Sequence, residues 1–214
     1  MQIRAEATRR LILDCAVDLF DRVGYANSSL SDLIAATGLS KGAFYYHFTN
    51  REAVTAAIIQ EADAQLQRTS RECLSDPAHR ALGNLIRAVF AVADLTTANT
   101  LVRVGVELRS GLGQISGALD GFVEHRDLFV HVATAAVIEG DLRDDLDAVQ
   151  VGNTLWVAVL GTHQQCAATG EDLSARLAEV HAIVLPAICM PDAAREYREL
   201  VDRLLENRAS QTTR

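Results

Sequence analysis

Proline is scarce in this 214-residue chain: Pro77, Pro186 and Pro191 are the only three, and residues 78–185 have none. Glycine adds 13, so the two turn-forming residues together fall well below the roughly 12% of an average chain. A β-sandwich needs many punctuated turns, and this chain lacks them. A disordered chain needs low hydrophobicity, whereas 49% of these residues are hydrophobic. No run of 18 apolar residues occurs, so no membrane span is expected. The stretch Met1-Gln2-Ile3-Arg4-Ala5-Glu6 has no apolar core of a secretory signal, and a cytoplasmic protein is expected. Cysteine is sparse and scattered at 15, 73, 166 and 189, which excludes CxxC metal or redox motifs and a disulfide framework. What remains is the composition of an all-α protein with a sizeable core.

Lysine is rarer still. There are 19 arginines and one lysine, Lys41. The chain carries −8 overall, but not evenly. Over 1–50, Arg4, Arg9, Arg10, Arg22 and Lys41 balance Glu6, Asp14, Asp18, Asp21 and Asp32, so the whole excess lies beyond residue 50. An acidic body behind a neutral head repels phosphates everywhere except at the head, which would orient an approach to DNA.

Over 6–22, Leu11, Ile12, Cys15, Ala16, Leu19 and Phe20 recur at the three- and four-residue steps of an amphipathic helix, which Gly24 ends. Ser29-Leu30-Ser31-Asp32 is an S-x-x-D capping box, predicting a short helix over 30–37 that stops at Gly38. Ser40 then caps a third helix, which opens Lys41-Gly42-Ala43-Phe44-Tyr45-Tyr46. Three helices joined by tight turns, the last pair through one glycine, make a helix-turn-helix. Beyond it, Asn50 caps a long helix over 51–73, and Asp76-Pro77 separates this from the next. Further helices are expected over 100–110, 122–139, 146–168, 172–190 and 192–207, with the four-glycine stretch 111–121 as a loop. Two domains follow: a DNA-binding head at 1–50, and a larger helical ligand-binding and dimerisation bundle at 51–214.

A recognition helix needs small residues for close backbone approach and donors for phosphates and base edges. Ser40, Lys41, Gly42 and Ala43 supply a hydroxyl, an ammonium and bare backbone. Lys41 can reach a phosphate or a guanine edge. Tyr45, Tyr46 and His47 add polar-tipped rings, while Phe44 and Phe48 read as core anchors.

These residues carry a resemblance. The A-x-x-L-F-x-x-x-G-Y block (Ala16, Leu19, Phe20, Gly24, Tyr25), the block from Gly38 through Ser40, Lys41, Gly42, Tyr45 and His47 to Phe48, and Glu52 after it are similar to the DNA-binding domain of TetR-type transcriptional repressors. The resemblance implies that Ser29, Ser40, Lys41, Gly42, Tyr45 and His47 touch double-stranded DNA. It also implies that two heads of a homodimer read a near-palindromic operator. Arg51 stands where lysine is frequent in that family and keeps the phosphate-binding charge. Further on, Val102-Arg103-Val104-Gly105-Val106-Glu107-Leu108, Phe122-Val123-Glu124 and Leu185-Pro186-Ala187-Ile188 resemble γ-butyrolactone-type autoregulator receptors. That branch has a signal-stacking tryptophan where this chain has His125, and its hydrogen-bonding positions fall on Arg109 and Phe122.

For the small-molecule effector, a mostly apolar pocket with a few polar groups is expected among Phe90, Arg109, Phe122, His125, Phe129, Trp156 and Leu160. Trp156, the only tryptophan, is either pocket wall or core filling. His163 is a surface or dimer-face residue. The stripes Leu155, Val159, Leu177, Val180, Val184 and Ile188 are candidates for the dimer interface. His125 and His131 lie off a common helical face and no H-E-x-x-H occurs, so no metal and no cofactor are expected. No G-x-S-x-G, P-loop or complete dinucleotide fingerprint supports an enzyme. The sequence thus reads as a repressor released by a small hydrophobic signal such as a γ-butyrolactone. A multidrug or metabolite sensor of the same fold and a ligand-blind DNA-binding dimer are the alternatives.

Overall fold

The structure is a computed structural model that describes the backbone of residues 2–111 and 118–212, with side chains over 4–111 and 125–210. Ten helices appear among the described residues: α1 (Gln2–Val23), α2 (Leu30–Thr37), α3 (Lys41–His47), α4 (Arg51–Leu74), α5 (Ala81–Ala98), α6 (Thr100–Gly111), α7 (Ala118–Ile138), α8 (Ala148–Thr169), α9 (Leu173–Ile188) and α10 (Pro191–Thr212). Extended pairing is limited there to one isolated bridge between Leu142 and Cys189. The all-α expectation holds. Three boundaries move by four or five residues: α1 begins at Gln2, ahead of the expected 6, α10 ends at Thr212, past the expected 207, and α7 begins at Ala118, ahead of the expected 122, and runs through Gly121. The heart of the expected glycine loop, 112–117, lies outside the described residues.

The local signals act as their chemistry dictates. The Ser29 side chain accepts from Asp32 N at 3.1 Å while Ser29 N donates to the Asp32 carboxylate at 2.9 Å, closing the capping box. The Ser29 hydroxyl, donating to the Asp32 carboxylate at 2.6 Å, and then Ser29 N hold that carboxyl below the usual range. Gly38 ends α2 at φ 66, a left-handed conformation that glycine adopts without the steric cost of a Cβ. The Ser40 side chain accepts from Ala43 N at 3.2 Å and opens α3. Asn50 does the same for α4, accepting from Ala53 N at 2.7 Å.

The chain divides into two compact units, residues 1–67 with 95–115, and 68–94 with 116–214. The expected head, 1–50, lies wholly within the first, which also takes in the first turns of α4 and all of α6. The reason is apolar burial: Ile12, Ala16, Phe20, Leu33, Phe44 and Phe48 share one core with Val54, Ile58 and Ala62 of α4 and Leu101, Val104 and Leu108 of α6. Without α4 and α6, the apolar faces of α1, α2 and α3 that they cover would lie open to water.

The second unit is built on α7, α8, α9 and α10 together with 81–94 of α5. Leu82, Ile86, Phe90, Phe129, Ala133, Leu155, Leu177 and Leu185 lie in its core. By length and composition α5 could cross a membrane, but half of it is buried inside the protein. Its apolar face is a core face.

The α7–α8 crossing is tight because position 152 has no side chain. A Cβ there would lie 2.5 Å from Val130 Cα and 2.9 Å from Phe129 C, both backbone atoms that cannot swing aside. Gly152→Ala is therefore expected to destabilise the second unit by about 3 kcal/mol, the upper part of the overpacking range. Chemical denaturation followed by far-UV circular dichroism would measure it. A variant as stable as the parent would show that the helices separate freely.

Two imidazoles, buried His181 and half-buried His163, weaken this unit in acid. Burial alone pushes His163 down to about 4, and burial also lowers His181. Both are neutral when folded but bind protons readily once unfolded, so between the unfolded value near 6.5 and the folded value the unfolded chain holds more protons. Stability is therefore fully present above about pH 6.5 and falls as the pH drops to 4, with His163 contributing up to about 3 kcal/mol. Denaturation midpoints at pH 7.5, 6, 5 and 4 would follow the decline, and His163→Gln should flatten it.

Candidate nucleic-acid interface and effector cavity

The α3 side chains sort by angle around the helix. Phe44 is fully buried and Phe48 nearly so, fixing one side to the first unit's core. The opposite side presents Lys41, Gly42, Tyr45 and Tyr46, with Tyr45 48% and Tyr46 76% exposed. Positions 41, 42, 45 and 46 are one helical face, since i and i+4 lie one above the other. A methyl group at Gly42 would touch nothing within 4 Å, and its φ is not positive, so neither packing nor backbone conformation demands glycine there. The bare backbone is an outward-facing feature. Lys41 is exposed and forms no ion pair with any described residue. An unpaired ammonium, bare backbone and two phenols thus share one rigid face, a set chemically able to contact phosphates and base edges.

The other DNA-facing candidates have structural work as well. Ser29 and Ser40 cap their helices, and Ala43 is half-buried and donates its N–H to Ser40. His47 is half-buried with its ring edge-on to Tyr46 at 4.9 Å. Arg51 turns inward: its guanidinium donates to Tyr25 O at 3.2 Å and to Ser28 O, and lies over the Tyr25 ring at 3.9 Å. Its charge locks the start of α4 to the α1–α2 turn, where the sequence expected a phosphate contact. A sequence shows the cation but not which distant carbonyl lies in reach.

Of the expected pocket residues, the structure brings several together and separates one. In the second unit His125 stacks on Trp156 at 5.7 Å and 17°, and Phe129 meets Trp156 at 5.4 Å. Phe90 is buried and faces the His181 ring at 5.7 Å. Leu160 is half-buried. The Phe122 side chain lies outside the described residues. Arg109 belongs to the first unit, where it pairs with Asp63 of α4, and burial lowers its pKa. The guanidinium that was expected to meet a ligand's carbonyl or carboxylate is thus engaged internally by the Asp63 carboxylate.

The second unit holds an apolar cavity of about 10 Å³, room for roughly one water molecule. Leu82, Leu85, Ile86 and Val89 of α5 line it with Phe129, Leu155, Val159, His181 and Leu185. Among the expected pocket residues only Phe129 is on this wall. The α5 residues were invisible as pocket because a lining face and a core face share the same period. His181 did leave a signal, a histidine between Leu177 and Leu185 at i±4 on an apolar stripe.

The dimer stripe needs a correction. Leu155, Val159 and Leu177 are core residues of the second unit, and Val180, Val184 and Ile188 are half-buried. The large apolar residues exposed on α8 and α9 are instead Val149 at 51%, Val157 at 65% and Ile183 at 77%, and small residues such as Gly161, Ala182 and Ala187 are exposed as well. No group of three metal-ligating side chains gathers among the described residues.

A helix-turn-helix at the head of an all-α scaffold is the architecture of a DNA-binding regulator. Residues 12–58 match the family of bacterial regulatory proteins, tetR family. The TetR-family protein CprB of Streptomyces coelicolor, solved with its biological operator sequence, is 30% identical over 95% of this chain and 99% of that one, with a TM-score of 0.78. The chain belongs to the TetR family of transcriptional regulators. A γ-butyrolactone receptor described as ArpA-like is 29% identical, covering 95% of this chain and 99% of that one at a TM-score of 0.81. The A-factor receptor protein of Streptomyces griseus is 24% identical over 192 residues, 89% of this chain and 67% of the relative. Within the family, the chain is thus similar along nearly its whole length to γ-butyrolactone receptors.

Proposed function

We propose that the chain is a homodimeric cytoplasmic repressor whose two α3 helices read a near-palindromic operator, and that a small hydrophobic effector releases it. The DNA half rests on the outward face of Lys41, Gly42, Tyr45 and Tyr46. One such head reads one half-site, so tight binding calls for a two-fold pair. The exposed Val157 and Ile183 on α8 and α9 supply apolar surface for it. The effector half rests on the cavity in the second unit and on the Trp156 cluster beside Phe129. A γ-butyrolactone is the effector class favoured by the relatives. At about 10 Å³ the cavity admits such a molecule only when side chains give way, so effector binding and rearrangement are one event.

Release requires that the effector prefer the form that does not bind operator, because a ligand with equal affinity for both forms shifts nothing. α4 and α5 each have residues in both units and are continuous helical routes for the signal. The test is operator release by γ-butyrolactones in a gel-shift or anisotropy assay. Trp156→Ala should raise the concentration needed for release about tenfold or more, the loss of one aromatic wall, and leave operator affinity unchanged. Release at the parent concentration would make Trp156 packing only. The second reading, a ligand-blind dimer, is favoured by the cavity's size. It predicts that neither lactones nor cationic dyes alter operator binding.

A further inference from the structure

The inference below rests on the effector reading and adds the chemistry of the ligand. His181 is 5% exposed and brings the only polar side chain among the described residues to the cavity wall, beside Leu82, Ile86, Phe129, Val159 and Leu185. Its Nδ1 lies 2.6 Å from the Leu177 carbonyl, one turn earlier on α9. A carbonyl only accepts, so Nδ1 carries the proton and donates it. Burial lowers the pKa of this histidine, so the ring is neutral and Nε2 holds a bare lone pair. The ring makes no other hydrogen bond among the described residues. The opposite tautomer would set the Nδ1 lone pair against the Leu177 oxygen, so the backbone fixes Nε2 as an acceptor. Water is a poor occupant of the space, because it needs two to four polar partners and the lining side chains offer one.

We propose that His181 selects the effector by accepting a hydrogen bond from its hydroxyl, so that the cavity takes an apolar molecule carrying one hydroxyl and discriminates against the ketone of the same skeleton. A hydroxyl hydrogen satisfies Nε2. A keto oxygen meets it lone pair to lone pair and leaves both groups buried without a donor, the arrangement that makes a polar site reject a near-isostere.

The experiment compares two γ-butyrolactones of equal alkyl chain length, one with a hydroxyl and one with a ketone at the same side-chain carbon. Release of full-length protein from its operator is the readout. The hydroxyl lactone should act at a concentration about tenfold or more below that of the ketone. His181→Leu should abolish this preference by weakening the hydroxyl lactone alone, and His181→Gln, whose amide oxygen accepts, should restore part of it. Equal release by both lactones from the parent protein overturns the inference and leaves the effector reading standing. So does a preference that survives His181→Leu. If neither lactone releases or binds, the effector reading falls and this inference with it. The two-lactone comparison on the parent protein needs no variant and decides the matter even where His181→Leu fails to fold.

Discussion

Lys41→Ala is expected to keep the fold and lose the operator. The ammonium is exposed and has no ion-pair partner among the described residues, while α3 is held from its other side by Phe44 and Phe48. Removing it costs the core nothing. A lysine on a base edge contributes about 1–3 kcal/mol, and a dimer presents two heads, so the loss should reach about 2–6 kcal/mol. Fluorescence anisotropy against the operator and a scrambled duplex, at several salt concentrations, separates base from phosphate. A base contact weakens the operator selectively. A phosphate contact weakens both duplexes alike and lowers the salt slope by about one per head. Unchanged affinity and slope would remove Lys41 from the interface.

The second large effect is structural. Asp141 is fully buried at the end of α7, where it accepts from Tyr197 Oη at 2.5 Å and pairs with Arg80. Arg80 also donates to the Glu139 carbonyl, and Met190 N donates to Asp141 O at 2.8 Å. The group ties the start of α5 and the α7–α8 turn to the α9–α10 junction. Burial first, and the Asp141 charge beside it, raise the Tyr197 phenol and push the Cys189 thiol up to about 12, so little reactive thiolate forms there. Arg80→Ala leaves a buried carboxylate with one hydroxyl donor. Breaking a buried pair from one side costs about 3–5 kcal/mol, and the low end applies because Arg80 is half-exposed and water fills its place. Urea denaturation should show a loss of about 3 kcal/mol, with Arg80→Lys recovering part of it. An Arg80→Ala protein as stable as the parent would reduce the network to a surface ion pair.

Local chemistry was legible in the sequence where neighbours decide the outcome. Ser29 with Asp32, Gly38, Ser40 and Asn50 each act on backbone within three residues, so the helix-turn-helix and the start of α4 could be read directly. The outward side of α3 was legible too, because Phe44 and Phe48 mark the inward side. What escaped depends on partners far along the chain. Arg51 finds the Tyr25 and Ser28 carbonyls, Arg109 finds Asp63, and Asp141 gathers Arg80 and Tyr197, pairings that no spacing rule announces.

Periodicity also failed in one direction. It finds the most apolar face of a helix, and that face serves the helix's own unit. Leu155, Val159 and Leu177 therefore read as an interface and are core. The exposed stripe of small and isolated apolar residues around Val157 and Ile183 carries a weaker signal. Gly121 had a similar effect at α7: a glycine inside a helix reads as a break, although its cost of about 1 kcal/mol is one a packed helix absorbs.

The most direct test of a two-headed operator reader is the stoichiometry and specificity of binding to the chain's own upstream DNA. Analytical ultracentrifugation with labelled duplex at low and physiological salt measures both. The predicted result is two protomers, or a multiple of two, on a near-palindromic site, with affinity at least about a thousandfold above a scrambled duplex. Equal, weak binding to both duplexes, or one protomer per site, would contradict it.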